Sequence, residues 1–190
     1  MVDILGLKPE DYWTRERALE YDSKRNIEKT QKEITLKALE ILGLKNGLVL
    51  DAGCGTGFST KTIQDAGLEV IGIDVSSEMC ALALKKGLAV VQGNFQELPF
   101  PDEHFDGIIS VSSLQWVSGN YETVLEAYHA VSSEFFRVLK NGCKAVVQFY
   151  PSTFKEFELV KKIFSKKFIV KEVSAWSGRK AKVFLELVKE

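Results

Sequence analysis

Leu50-Asp51-Ala52-Gly53-Cys54-Gly55-Thr56-Gly57 decides how this chain folds. The apolar run Leu48-Val49-Leu50 reads as a strand, and three alternating glycines make the turn that follows it. A helix then runs to about Ala66 and stops at Gly67. A glycine turn between a first strand and a first helix lets a ligand approach the backbone closely. Glycine has no Cβ to block that approach and tolerates unusual φ/ψ. In an open α/β sheet such ligands sit at the carboxyl ends of the strands, where the winding reverses. Asp51, closing the strand, can accept a hydrogen bond from an ammonium group.

Outward from this turn, short apolar runs alternate with helical segments. Val70-Ile71-Gly72-Ile73 is a second strand, followed by a helix from Ser76 to Lys86. Ala89-Val90-Val91 is a third strand and Gly107-Ile108-Ile109-Ser110-Val111 a fourth, with a long helix from about Tyr121 to Leu139 after it. Lys144 to Tyr150 is a fifth, and the tail offers a helix near 153–166 and strands near 168–173 and 181–188. Strands separated by helices mean βαβ units and a doubly wound, mostly parallel α/β sheet, here seven-stranded. Before it, Ile27, Ile34, Ala38, Leu39, Ile41 and Leu42 recur at helical spacing, so Pro9 to Leu42 reads as helix, closed by Gly43 and Gly47. The expectation is a single domain over 1–190, a helical segment at 1–46 and an α/β core at 47–190.

Asp74 ends the second strand, about twenty residues past the glycine turn, where an acid can accept hydrogen bonds from both hydroxyls of a ribose. Its alternative role, capping the next helix, can fall to Ser76 instead. Asn94 and Phe95, past the third strand, lie where a base carried on that ribose would sit: Phe95 against the ring, Asn94 at its edge. A dinucleotide site needs G-x-G-x-x-G. Here Phe58 holds the third glycine's place and Gly57 comes one residue early. No G-K-[ST] follows, which excludes a phosphate-cradling loop.

Composition bounds the rest. Apolar residues at 45% and charged residues at 27% are those of an ordinary globular protein. No segment approaches the ~20 apolar residues of a membrane span, and the N-terminus lacks a signal-peptide pattern, so a cytoplasmic setting without membrane contact is expected. Cys54, Cys80 and Cys143 are odd in number and far apart, against a disulfide framework or a metal site. Net charge is -1 but unevenly spread. Residues 51–106 carry nine acids against three lysines; residues 151–182 carry nine bases, Arg179 and Lys180 among them, against three acids. That basic run is either a footprint for nucleic acid or a solvated helix face.

Asp51 to Gly57, Gly72-Ile73-Asp74-Val75-Ser76 and Leu98-Pro99-Phe100-Pro101-Asp102-Glu103-His104-Phe105-Asp106 together resemble the class I S-adenosylmethionine-dependent methyltransferases. Asn94 departs from the acidic residue more usual there. Tyr21 to Leu42, Ile108 to Trp116 and Ala145 to Pro151 are similar, more narrowly, to the small-subunit rRNA guanine-N7 methyltransferases of the Williams–Beuren-region type. The resemblance implies S-adenosylmethionine as cofactor, held by Tyr21, Arg25, Asp51, Gly53, Gly55, Gly57, Asp74, Val75, Asn94, Phe95 and Ser110. It implies Gln115, Trp116, Tyr150 and Pro151 facing the acceptor, and rRNA as substrate. It also implies a small zinc-binding activator protein added at the edge of the third strand. Guanine N7 has a free lone pair, so no general base is obligatory. Two other functions stay open: a small-molecule methyltransferase, since these motifs fix the cofactor and not the acceptor, and a non-catalytic S-adenosylmethionine-binding scaffold. A nicotinamide dehydrogenase ranks last.

Overall fold

The computed structural model describes residues 8–177 and 180–190; Met1 to Leu7, and Arg179 of the basic run, lie outside the described residues, as does the side chain of Lys180. Three helices, α1 (Pro9–Tyr12), α2 (Arg15–Ser23) and α3 (Arg25–Leu42), precede the sheet. The chain continues through β1 (Leu48–Ala52), α4 (Phe58–Asp65), β2 (Glu69–Asp74), α5 (Ser77–Lys85), β3 (Val90–Gln92) and β4 (Phe105–Val111). It ends through α6 (Tyr121–Val138), β5 (Leu139–Gln148), α7 (Phe154–Phe164), β6 (Ile169–Ser177) and β7 (Lys180–Val188).

The seven strands lie in the order β3-β2-β1-β4-β5-β7-β6. β1 pairs in parallel with β2 on one side and β4 on the other, so the winding reverses at β1. β7 runs antiparallel between β5 and β6. β3 is an outer edge of only three residues, the position that the methyltransferase resemblance implies.

Side chains alternate across this sheet, as period-2 geometry requires. Leu50 of β1, Ile108 of β4, Ala145 and Val147 of β5 and Leu185 of β7 join Tyr128, Phe135, Val160 and Phe164 of α6 and α7 in one apolar layer. Their strand neighbours Val49, Ile109, Val146 and Phe184 face the other way and meet Ile34, Ala38 and Leu42 of α3 and Ile63 of α4. Both faces are covered, which is why the strands read as continuous apolar runs. Each large side chain buried this way contributes about 1.5–3 kcal/mol. Asp51 shares the face of Val49, and this parity aims its carboxylate at α4.

Two stretches differ from the sequence expectation. The helical pattern from Pro9 to Leu42 is broken at Trp13-Thr14 and at Lys24. Thr14 and Lys24 are both extended, and the Thr14 hydroxyl accepts the Arg17 amide to start α2. These breaks fold α1 back over the end of the sheet. β5 begins at Leu139, directly off α6 and ahead of the apolar run, because Leu139 pairs with Phe105.

Partly buried polar ties hold the frame of β1 and β4. Asp106 accepts the Leu48 amide at 2.9 Å and the Lys140 ammonium at 2.6 Å, and these two partners hold its carboxyl below the usual carboxylate range. Arg137 spans Glu134, Asp102 and the carbonyls of Leu98 and Phe100, fixing the loop over 98–104 that leads into β4.

Candidate active site

At the carboxyl ends of β1, β2 and β4 the sheet opens into a cavity of about 550 Å3, the place that a switch point predicts. Its floor is the glycine turn. Gly53, Gly55 and Gly57 all have positive φ (84°, 55° and 88°). A Cβ on Gly53 would stand 2.2 Å from the Ser113 Cβ, so only glycine lets the β1 and β4 turns meet. A Cβ on Gly55 would meet nothing: that backbone faces open space. Gly57 serves packing, since a Cβ there would stand 2.3 Å from Leu88 Cδ1. Gly57 is therefore behind the cavity wall and not in it.

Asp51 also lies behind the turn, fully buried. Its Oδ2 accepts the hydroxyls of Ser59 (2.6 Å) and Thr60 (2.7 Å), while its Oδ1 has no partner. Burial pushes the carboxyl up to about 6, against the lowering pull of the two hydroxyls. An orphaned buried oxygen of this kind costs about 1–3 kcal/mol until a donor reaches it.

Asp74 lines the cavity. It accepts the Gly55 amide at 2.8 Å and the Ser76 amide at 3.0 Å, so it braces the turn as well as facing the cavity. Burial raises its pKa against those amides. Ser76 caps α5 through the Met79 amide, which leaves Asp74 free of that task. Val75, Asn94 and Phe95 complete this side.

The opposite side is aromatic and amide. Trp116 packs against Tyr12 and Trp13, with ring centroids 5.2 and 5.0 Å away, and Trp13 meets Tyr21 edge-on at 5.3 Å. These contacts close α1 over the cavity mouth. Tyr21 also lies 5.9 Å from Phe58, and burial, with Asp74 nearby, pushes its phenol up to about 12. Lys86 bonds to Asp22 and to the Thr56 carbonyl and sits 4.4 Å over Phe58, tying α2 to the glycine turn. Ser112, at φ 56°, is held by the Gln148 carbonyl and side chain and by Gln31 of α3. A non-glycine residue in this region stores strain, as groups at functional sites often do. Gln115 donates to the Ser112 carbonyl at 2.6 Å.

Of the residues expected at the site, Tyr21, Gly53, Gly55, Asp74, Val75, Asn94, Phe95, Gln115, Trp116 and Tyr150 line one cavity. Five do not, and each is a correction: Asp51 and Gly57 lie behind the glycine turn, and Arg25, Ser110 and Pro151 stand away from the cavity wall where the sequence expectation put them on it. Arg25 is exposed at the start of α3, because the break at Lys24 turns it away. Ser110 is fully buried one layer below, bonded to Ser113 at 2.7 Å, and Ser112 and Ser113 take its place at the wall. Pro151 lies past the rim, beyond Tyr150. Trp13, Gln31, Phe58, Met79 and Thr123 also line the cavity and were missed. Phe58 stood beside the glycine motif and was legible there; Trp13 and Gln31 arrive from distant helices with no local signal.

The model of the methyltransferase domain family matches residues 50–147, just over half the chain, and the chain belongs to that family. S-adenosylmethionine is the cofactor that this membership brings. An 18S rRNA (guanine-N(7))-methyltransferase of Schizosaccharomyces pombe is 32% identical over 161 residues, 80% of this chain and 60% of the relative. The chain thus spans about three fifths of that relative's length. Among solved structures, a putative S-adenosyl-L-methionine-dependent methyltransferase from Methanococcus maripaludis has a TM-score of 0.73 at 17% identity, covering 92% of this chain and 93% of that one. A complex between the Haloferax volcanii Trm112 methyltransferase activator and the putative methyltransferase gives a TM-score of 0.71 at 15% identity, covering 93% and 97%. Both show the class I methyltransferase fold.

Proposed function

We propose that this domain transfers a methyl group from S-adenosylmethionine to N7 of a guanine in small-subunit rRNA. The observation that carries this reading is a pocket whose one wall suits the cofactor while its other is aromatic and amide and faces the opening. The similarity to 18S rRNA guanine-N7 methyltransferases supplies the acceptor.

The residues present fit the cofactor. Asp51 Oδ1, buried and unpartnered, suits the donor of an amino-acid ammonium reached through the turn. Gly55 offers bare backbone, Asp74 a carboxylate for ribose hydroxyls, and Phe95 with Asn94 a ring face and an amide for adenine. When bound, S-adenosylmethionine supplies an activated methyl group on a sulfonium. The chain's own work is orientation and exclusion of water. Tyr21, Trp13 and Trp116 close the top, and Gln115 and Tyr150 stand at the acceptor side. Guanine N7 carries a free lone pair, so no proton has to leave before attack. In keeping with that, neither His104 nor His129 lines the cavity.

The catalytic unit is the whole chain, since α1 and α2 roof the pocket that the core builds. The exposed edge of β3, where Val91 is partly bare, takes an activator protein by strand addition, the likeness to the Haloferax complex supporting this. Free Cys54, Cys80 and Cys143 suit a cytoplasmic setting.

Methyl transfer from radiolabelled S-adenosylmethionine to small-subunit rRNA, followed by mapping of the modified base, tests the proposal. Label at one N7-methylguanine, enhanced by the activator, is the expected result. Turnover on a metabolite with none on RNA would assign the pocket to small-molecule chemistry.

A further inference from the structure

Helices that follow parallel strands begin at the carboxyl edge of the sheet, the edge at which the cofactor pocket opens. α6 and α7 follow β4 and β5, and their first residues are Tyr121 and Phe154. Both rings are bare: Tyr121 is 70% exposed and Phe154 76%. A second, more open cleft of about 800 Å3 lies between these helices, lined by Tyr121, Val124, Tyr128, Lys155 and Lys162 among others. It abuts the first, because the opening turns of α6 supply both: Thr123 and Ala127 line the cofactor pocket, Val124 and Tyr128 the cleft. On the rim of the first pocket Tyr150 is 41% exposed, with Lys182 4.3 Å over its ring and bonded to its hydroxyl.

The charges of the cleft are lopsided. Its two acids are engaged: Glu156 accepts from the Tyr128 hydroxyl at 2.6 Å and from the Ser152 amide, and Glu158 pairs with Lys161. Lys155 and Lys162 have no ion-pair partner among the described residues. Bare aromatic rings interleaved with free lysines are what unstacked bases and a phosphate backbone require. An apolar peptide would have no use for the lysines.

We infer that the cleft between α6 and α7 is a binding subsite for single-stranded RNA, taking the nucleotides that flank the base delivered to the cofactor pocket. Tyr121 stacks on a base there, Phe154 stacks on a neighbouring base from the exposed first turn of α7 beside the cleft, and Lys155 and Lys162 hold phosphates. The inference rests on the RNA reading above and adds to it the path of the strand.

The test is fluorescence anisotropy of the full chain with a labelled single-stranded oligoribonucleotide of roughly a dozen nucleotides containing one guanine, across a salt series. Calorimetry with S-adenosylmethionine runs in parallel. Tyr121→Ala and Phe154→Ala each weaken RNA binding by about tenfold with the salt slope unchanged. Lys155→Ala and Lys162→Ala each flatten the slope of log K against log salt by about 0.7. Cofactor affinity and melting temperature stay at the parent values in all four. If the parent chain binds and methylates RNA while all four variants bind it equally well, the subsite is overturned and the RNA reading survives. If the parent chain neither binds nor methylates RNA, both fall together. Loss of self-association in Tyr121→Ala, with RNA affinity intact, would assign the cleft to a second copy of the chain and overturn the proposal as well.

Discussion

The two walls of the pocket are made differently. The β1–β2–β3 wall is backbone and buried carboxylate, compressed into residues 51–95: a glycine turn, Asp74 bracing it through the Gly55 amide, and Asp51 locked behind it by Ser59 and Thr60. The opposite wall is side chain, gathered from α1, α2, α3, the end of β4, α6 and Tyr150. The first has no room for an added atom at Gly53 or Gly57, where a Cβ would collide with Ser113 or Leu88. The second is a set of tilted and edge-on aromatic contacts 5.0 to 5.3 Å apart, each worth only about 0.5–1.5 kcal/mol. Under the proposed reading, the wall that holds a small invariable cofactor is rigid and local, and the wall that faces a large acceptor is assembled from pieces that part at modest cost.

That contrast sets the size of each expected effect. Gly53→Ala strikes the rigid wall hardest. It combines a forbidden φ, about 1–2 kcal/mol, with overpacking of about 1–3 kcal/mol against Ser113. About 3 kcal/mol lost is about 6–12 °C in Tm for a chain of this size, read by calorimetric melting. Cofactor binding disappears with it. A variant that melts with the parent would show that the turn yields.

Asp74→Asn keeps an acceptor for the Gly55 amide but removes the charge offered to the ribose. Charge-assisted hydrogen bonds are worth about 1.5–3 kcal/mol, so S-adenosylmethionine binding weakens by about 10- to 100-fold in titration calorimetry, with little change in stability. An equal loss in binding and in Tm would mean that Asp74 only braces the turn.

Acidification separates the two walls further. Asp51 titrates at about 6 in the folded chain against 3.8 ordinarily, so between these values the folded state holds a proton that the unfolded state releases. Stability owed to this group therefore falls as pH rises through that window and is regained on acidification. Ligand binding runs the opposite way, because an ammonium needs the carboxylate. S-adenosylmethionine affinity falls by up to about tenfold per pH unit below pH 6. Asp51→Asn removes the slope, and a parent profile flat from pH 7 to 5 would break the assignment.

The side-chain wall responds least. Trp13→Ala loses its contacts with Trp116 and Tyr21, and cofactor release quickens by about 3- to 10-fold in stopped-flow measurements. Arg25→Ala, exposed and away from the cavity, leaves cofactor affinity within about twofold. A larger loss there would mean that α3 swings inward when ligand binds.

What was legible follows the same division. The parallel sheet, the turn at its switch point, Asp74, Ser76 as the cap that frees Asp74, and Phe95 beyond β3 all come from spacings of a few residues, because strand period, capping and glycine geometry are local. Asp51 was identified but its surroundings were not. Its burial and its orphaned oxygen depend on which face of β1 meets α4. Ser110 was one step wrong for a related reason. The strand's alternation was clear, but the tight turn at Ser112, with φ 56°, lifts Ser112 and Ser113 to the wall and leaves Ser110 beneath them. The kinks at Trp13-Thr14 and Lys24 carry no proline or glycine to announce them, so neither the roof over the pocket nor the turning away of Arg25 was readable.

By itself, then, the sequence determined the class of fold, the place of the pocket within it and most of the residues that line its β1–β2–β3 wall, because each rests on short-range stereochemistry that a few neighbouring residues dictate. Tertiary structure alone decided the rest: the roof of Tyr12, Trp13 and Trp116, the brace of Gln31 and Gln148 on Ser112, and the cleft beside α6 and α7. Those depend on residues tens of positions apart being brought together by packing, and no local pattern encodes which distant surfaces will meet.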